Sequence, residues 1–241
     1  NPWNYKFTWN PRNVVLAGQG TAQYIEGGKI KYIPYEKLFE RTEKMSVLDA
    51  GEFDAYANRD SLSYRKSYGI ENISTLLRGT LRRSGYSKSW NYFIQLGLTD
   101  DSYTIENSEK LTYREYLNMF LPLSDTLTLE DKFCTEFGIT ENSEEFQKIK
   151  WLDIFTDKKV ELENATPAQV LQKILEEKWT LSAEDKDMIV MQHQFEYTLN
   201  GEDKKLNSSL LVFGDNQRDT SMAKTVGLPV AIATKLILSG E

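Results

Sequence analysis

Ile189, Met191, His193, Phe195, Tyr197 and Leu199 occupy every second position up to Asn200-Gly201, and Leu210, Val212 and Gly214 resume the alternation beyond it. A period of two on both sides of Asn-Gly predicts a β-hairpin. Successive strand side chains face opposite ways, and the dipeptide tolerates the positive φ angles of a tight turn. An all-helical fold is thereby excluded. The stretch from Asp100 to about Ala183 has the other period: Tyr113, Tyr116, Leu117 and Phe120, then Val170, Leu171, Ile174 and Leu175, recur at i, i+3, i+4. Thr128 and Thr166 stand where N-caps are expected, the latter followed by a proline at the first helical position. The predicted class is α+β: a mixed, largely antiparallel sheet with flanking helices, interrupted by an all-helical insertion. Residues 1–97 and 183–241 are the two parts of the β-containing domain, and residues 98–182 are the insertion.

The first part predicts several elements. Trp3, Tyr5, Phe7 and Trp9 alternate with polar residues, which suggests a strand over residues 3–9 with one aromatic face packed on a sheet. Asn10-Pro11 opens a short helix, and Gly27-Gly28 turns a hairpin between Tyr24-Ile25 and Ile30–Ile33. Gly18-Gln19-Gly20 is better read as a helix end than as a dinucleotide fingerprint, because the third small position is Gln23 and the glycines follow a helix. Ile73–Arg82 suggests a buried strand with Arg78, Thr80 and Arg82 on one face, followed by a helix over Ser84–Gly97 whose positive dipole end would favour an anion. The last element is an apolar helix, Ser221–Gly240, with a kink or restart expected at Gly227-Leu228 before Pro229.

Charge narrows the function. The net charge of −7 argues against a general binder of nucleic acid or anionic membranes, both of which need a broad basic face. No apolar run approaches the roughly 18 residues of a membrane span. The start at Asn1-Pro2-Trp3 has neither an initiator Met nor a signal-peptide pattern, and suggests a chain cut from something longer. A single cysteine, Cys134, excludes an internal disulfide and suits a reducing, cytoplasmic setting. His193, the only histidine, is expected to be a core residue, and Cys134 with His193 alone makes no metal site. The acids of 128–145 and 176–187 are expected on solvated helix faces.

Against this acidic background, residues 59–88 hold seven Arg or Lys and only two acids. Two short motifs, Asn58-Arg59-Asp60-Ser61 and Arg78-Gly79-Thr80-Leu81-Arg82, carry three arginines between them. The planar guanidinium fork matches a carboxylate with two parallel bonds. A site for small anions and structural salt-bridging to nearby acids are the two readings.

At these residues the chain resembles the NADP-dependent, glutamate-forming saccharopine dehydrogenases, also called saccharopine reductases. Asn1-Pro2-Trp3-Asn4-Tyr5-Lys6-Phe7-Thr8-Trp9 is similar to the family's N-P-x-x-Y-K-F-S-W, and the two arginine motifs match N-R-D/N-S and R-G-T-L-R. Gln192-His193-Gln194-Phe195 matches Q-H-x-F, and the run from Met222 to Lys235 is close to M-A-x-T-V-G-x-P-V-A-I-A-x-K. Trp3 for the usual Leu, Thr8 for Ser, and Arg83-Ser84 in place of Tyr and a polar residue are the departures, and they leave the exact substrate open.

The resemblance implies the substrate-binding and dimerisation domain of such an enzyme, with its helical insertion and without the nucleotide-binding Rossmann domain. The implied activity is that of an NADP-dependent oxidoreductase acting on CH–NH groups, with the fragment inactive by itself. Arg59, Thr80, Leu81 and Arg82 are implied to contact substrate. No catalytic, cofactor-binding or metal-binding residue is assigned here, since the family's acid/base lysine and aspartate belong to the absent part, which also binds most of the NADP. The implied partners are a small molecule with several carboxylates and a second subunit, with no nucleic acid or membrane. A related reductase, such as a carboxynorspermidine dehydrogenase, or a non-catalytic module binding amino-acid anions are the alternatives.

Overall fold

The protein is described by a computed structural model covering residues 1–17 and 19–240; Gly18, part of the expected helix end, lies outside the described residues. The chain divides into two compact units. The first holds Asn1–Tyr5, Asn10–Lys44 and Asp54–Trp179, and the second holds Lys6–Trp9, Met45–Phe53 and Thr180–Glu241.

In the first unit, Asn10 caps α1 (Pro11–Val15) by accepting from the Arg12 and Asn13 N–H groups. The hairpin β1 (Ala22–Glu26) and β2 (Lys29–Ile33) follows, in the register Glu26↔Lys29, with both turn glycines at positive φ. After α2 (Tyr35–Leu38) come β3 (Glu43–Ser46) and β4 (Glu52–Ala57), which each run from one unit into the other, then α3 (Tyr64–Tyr68) and β5 (Gly79–Arg83). These three strands are ordered β3-β4-β5. The expected strand over residues 73–82 is thus confined to its C-terminal half.

Next come α4 (Tyr86–Gln95), α5 (Tyr113–Asn118), α6 (Leu129–Phe137), α7 (Glu144–Trp151) and α8 (Pro167–Trp179). Thr112 and Glu115 close a reciprocal capping box on α5, and Thr128 and Ser143 cap α6 and α7. Burial takes α4 on nearly all sides, which makes it the centre of this unit. Its Tyr86, Trp90 and Phe93 form one ring cluster with Trp3 and Trp179, with contacting centroids 5.3–6.2 Å apart.

The strand expected over residues 3–9 does not form. Trp3 is only 1% exposed and its indole N–H donates to the Lys148 carbonyl at 2.8 Å, whereas Trp9 is half exposed. Phe7 makes one isolated bridge to Thr180. Helices, not a sheet, receive Trp3. Nor are the acids of the helices simply solvated: Glu130 pairs with Arg114, Glu145 with Lys88, and Glu177 accepts from the Tyr113 hydroxyl at 2.7 Å.

The second unit carries the hairpin β6 (Met188–Leu199) and β7 (Glu202–Phe213), whose register Leu199↔Glu202 puts Asn200 and Gly201 in the turn at positive φ. His193 is exposed, not a core residue, with its ring stacked beside Phe195 at 6.1 Å. The terminal α9 (Ser221–Ser239) runs through Pro229 as one element, so the expected restart is absent. Its 19 residues, at a hydropathy of 1.3 and almost wholly exposed, make it long and apolar enough to cross a membrane by length and composition. The expectation that no segment approaches that limit is corrected: counting consecutive apolar residues splits this helix at Lys224 and Lys235.

Lys6 anchors its segment by an ion pair with Asp185, whose carboxylate also accepts from the Ser182 N–H and hydroxyl at 2.7 Å. The Lys6 bond foremost, then those from Ser182, hold the Asp185 carboxyl well below the usual carboxylate range. A depressed native value contributes stability that is complete above the unfolded value of about 4 and is lost as pH falls through the native one. Asp185→Asn is expected to cost about 1–2 kcal/mol near neutral pH, and to lose that deficit in acid, in urea unfolding followed at several pH values.

Candidate functional site

The segment after β4 is pinned by β1. The Gln23 N–H donates to the Arg59 carbonyl at 2.9 Å, and the Ser61 N–H donates to the Gln23 carbonyl at 2.8 Å. Between these bonds Arg59 adopts a φ of 45°, a left-handed conformation that side-chain-bearing residues seldom take without support. The Asp60 carboxylate supplies it by accepting from the Leu62 N–H at 2.7 Å and the Ser63 N–H at 3.2 Å, a turn closed by its own side chain. Burial pushes the Asp60 carboxyl upward, but the bonds from Ser63 and Leu62 outweigh it and leave the group below its usual range. The Arg59 side chain is left exposed.

The two arginine motifs are stitched together. Asn58 N–H donates to the Arg78 carbonyl at 2.8 Å, and Arg78 N–H donates to Ser61 Oγ at 2.9 Å. Ser61 is 1% exposed, so its hydroxyl serves the backbone and not a ligand. The Arg78 guanidinium lies 4.0 Å from the Tyr64 ring centroid, over its face, which marks that arginine as structural. Glycine at position 79 has a steric reason: a Cβ there would stand 3.3 Å from the Tyr56 carbonyl oxygen, so it is another backbone that approaches.

Thr80, Leu81 and Arg82 follow on β5, all half-buried. The Arg82 guanidinium is flanked by the rings of Tyr5 at 5.1 Å and Tyr86 at 5.5 Å, and its Nη1 donates to the Leu81 carbonyl at 3.3 Å. Its Nε is buried without a hydrogen-bond partner. Among the described residues neither Arg59 nor Arg82 has a carboxylate partner. The expected anion at the α4 N-terminus is the protein's own: Asp54 accepts from the Gly85 N–H at 3.0 Å and pairs with Lys44 at 2.8 Å.

The tyrosines around Arg82 carry no sequence signal: alternation places Tyr5 on a strand face, and no spacing rule joins residue 5 to residue 82.

A groove of about 820 Å³ in the first unit is lined by Gln19, Thr21, Tyr35, Thr99, Asp100 and Asp101 among others, and one of about 490 Å³ in the second by Ala183, Asn216, Gln217 and Arg218. Arg59, Thr80, Leu81 and Arg82 line neither. The first is acidic, the wrong sign for a carboxylate ligand. Its Tyr35 hydroxyl, which donates to Thr99 Oγ1 at 2.9 Å, is pushed up to about 12, chiefly by burial.

Among the described residues no group of three or more His, Cys, Asp or Glu is placed to hold a metal ion. Burial raises the Cys134 thiol. The residues do not fit a dinucleotide either: Gln19 and Gly20 lie between α1 and β1, in the order helix, glycine, strand, which is the reverse of a nucleotide fingerprint.

A family model described as the saccharopine dehydrogenase C-terminal domain matches residues 1–241. Mitochondrial alpha-aminoadipic semialdehyde synthase of Rattus norvegicus is 34% identical over 250 residues, an alignment that takes in all of this chain and 27% of the relative. Saccharopine dehydrogenase (NADP(+), L-glutamate-forming) of Saccharomyces cerevisiae is 31% identical over 247 residues, again across all of this chain and 55% of the relative. The solved structure of apo histidine-tagged saccharopine dehydrogenase (L-Glu forming) from Saccharomyces cerevisiae superposes with a TM-score of 0.85 at 30% identity, covering 100% of this chain and 55% of that one. The chain therefore spans about half, or about a quarter, of the length of these relatives.

Proposed function

Because the chain belongs to the saccharopine dehydrogenase C-terminal domain family, we propose that it is the substrate-binding portion of an NADP-dependent saccharopine dehydrogenase. The whole enzyme would interconvert saccharopine with L-glutamate and 2-aminoadipate 6-semialdehyde. In the forming direction the glutamate amine and the aldehyde lose water to give an imine. NADPH, if held mainly by a part of the protein outside this chain, would supply the hydride that reduces it. Residues 1–97 and 183–241 would bind substrate and a second subunit, with 98–182 as a helical insertion.

The observation that carries this reading is the pair of arginines without a counter-charge among the described residues, on two motifs stitched to each other. Four backbone steps run from Arg78, whose peptide is bonded to the Asn58–Ser61 motif, to Arg82, an extended span on the order of 13 Å along the chain. Arginines on two motifs so joined would suit carboxylates at the two ends of an extended molecule. Arg59 and Arg82 would each clamp a carboxylate, Thr80 would donate a hydrogen bond, and the backbone at Leu81 would fix the position. The chain's part in catalysis is orientation and charge neutralisation.

Calorimetric titration of the full-length protein with saccharopine, glutamate and lysine tests this. Saccharopine should bind most tightly, glutamate more weakly and lysine least, in the order of their carboxylates. Lysine binding as tightly as saccharopine would refute the reading.

A further inference from the structure

Arg82 poses a physical problem that its own motif does not solve. A guanidinium is charged at every pH a protein meets, and a half-buried one ordinarily has a carboxylate to hold it. Arg82 has none among the described residues, and its Nε is buried and unbonded. What surrounds it are the rings of Tyr5 and Tyr86, the latter also hydrogen-bonded to it through its side chain. Those two rings meet edge to face at 5.5 Å, and both belong to the tryptophan cluster: Tyr5 lies 5.0 Å from Trp179, and Tyr86 stacks on Trp90 at 5.7 Å. A ring fixed on several sides by other rings cannot swing away.

Both phenols also stay protonated. Burial raises each first of all, and the Arg82 charge only partly opposes it. Neutral rings hold a cation by their faces while leaving its charge uncancelled, whereas a carboxylate would cancel it. A substrate carboxylate then meets a guanidinium that is already oriented and not already paired, so little ordering remains to be done on binding.

We propose that Tyr5 and Tyr86 are positioning residues, which hold the Arg82 guanidinium against their two adjoining rings as an open clamp for one substrate carboxylate. This rests on the saccharopine reading above. It assigns to the segment Asn1–Tyr5, remote in sequence, a share in substrate affinity.

The test is a double-mutant cycle in the full-length protein, read as saccharopine KM and kcat. Tyr5→Leu should raise KM by about five- to thirty-fold with kcat changed less than two-fold, the range expected for removing one stacked ring from a desolvated cation. In an Arg82→Ala background the same change should move KM less than about two-fold, since the residue it positions is gone. Tyr5→Phe, which keeps the ring and the packing, should stay within about two-fold of the parent.

An equal rise in both backgrounds, no rise for Tyr5→Leu in the parent that keeps Arg82, or a rise above about two-fold for Tyr5→Phe would overturn the clamp. The Phe variant decides the matter if the Leu variant does not fold. Arg82→Ala leaving KM unchanged would instead remove the substrate site itself, so the two failures are told apart.

Discussion

Replacing Arg82 with alanine in the full-length protein is expected to raise the saccharopine KM by roughly 30- to 1,000-fold, while NADP affinity stays nearly unchanged. A lost charged contact that leaves a carboxylate unpaired costs about 2–4 kcal/mol, and each 1.36 kcal/mol is a factor of ten. Arg82 belongs at the upper end of that range. It is half-buried, packed against two rings and, among the described residues, without a carboxylate partner, so its charge would be open to the proposed ligand. Arg59 has the same open charge but an exposed side chain, where water and salt screen it, and Arg59→Ala should fall at the lower end. Arg82→Lys should recover little, because an ammonium neither stacks on rings as a planar guanidinium does nor forms two parallel bonds. Initial-rate kinetics with NADP titrated separately would check these values. An unchanged KM in both alanine variants would sink the site.

How far the sequence foretold this follows from how local each cause is. Asn200-Gly201 and Gly27-Gly28 need only their own turn geometry, and both hairpins form in the expected register. Asn10, Thr128 and Thr166 cap their helices because a cap reaches only two or three residues ahead. Trp3 to Trp9 misled because alternation in seven residues reports burial and not the partner: Trp3 went to a helix and Trp9 to the surface. His193 misled for the related reason that a two-stranded hairpin shields neither face. The arginine motifs were legible as chemistry, but their joining runs through Ser61 Oγ and Gln23, contacts that no period encodes. The ring cage of Arg82 is wholly tertiary.

A second large effect concerns the second unit. Gly214→Ala is expected to destabilise the protein by about 3–5 kcal/mol, although the added group is a single methyl. A Cβ at Gly214 would overlap Asp187 Oδ1 and stand 2.9 Å from the Ser221 nitrogen and 3.0 Å from Thr220 Cα. Gly214 itself is fixed, since its N–H donates to the Asp187 carbonyl at 2.9 Å. The carboxylate it would displace is buried at the start of α9, where it accepts from the Ser221 N–H and hydroxyl, each at 2.6 Å, and from the Met222 N–H at 3.0 Å. Negative charge at a helix N-terminus is favourable, and three buried donors stripped of it each cost free energy. Thr220, which caps the Ala223 N–H at 3.0 Å, cannot serve these donors as well. Asp187→Ala alone should therefore also destabilise, by about 2–4 kcal/mol. The double variant separates overlap from lost bonding: with the carboxylate gone, the methyl enters vacated space, and the combined loss should be clearly smaller than the sum of the two. Denaturant unfolding of the three variants reads this directly, and strictly additive losses would show that Gly214 is crowded by the backbone of Thr220 and Ser221 and not by the cap.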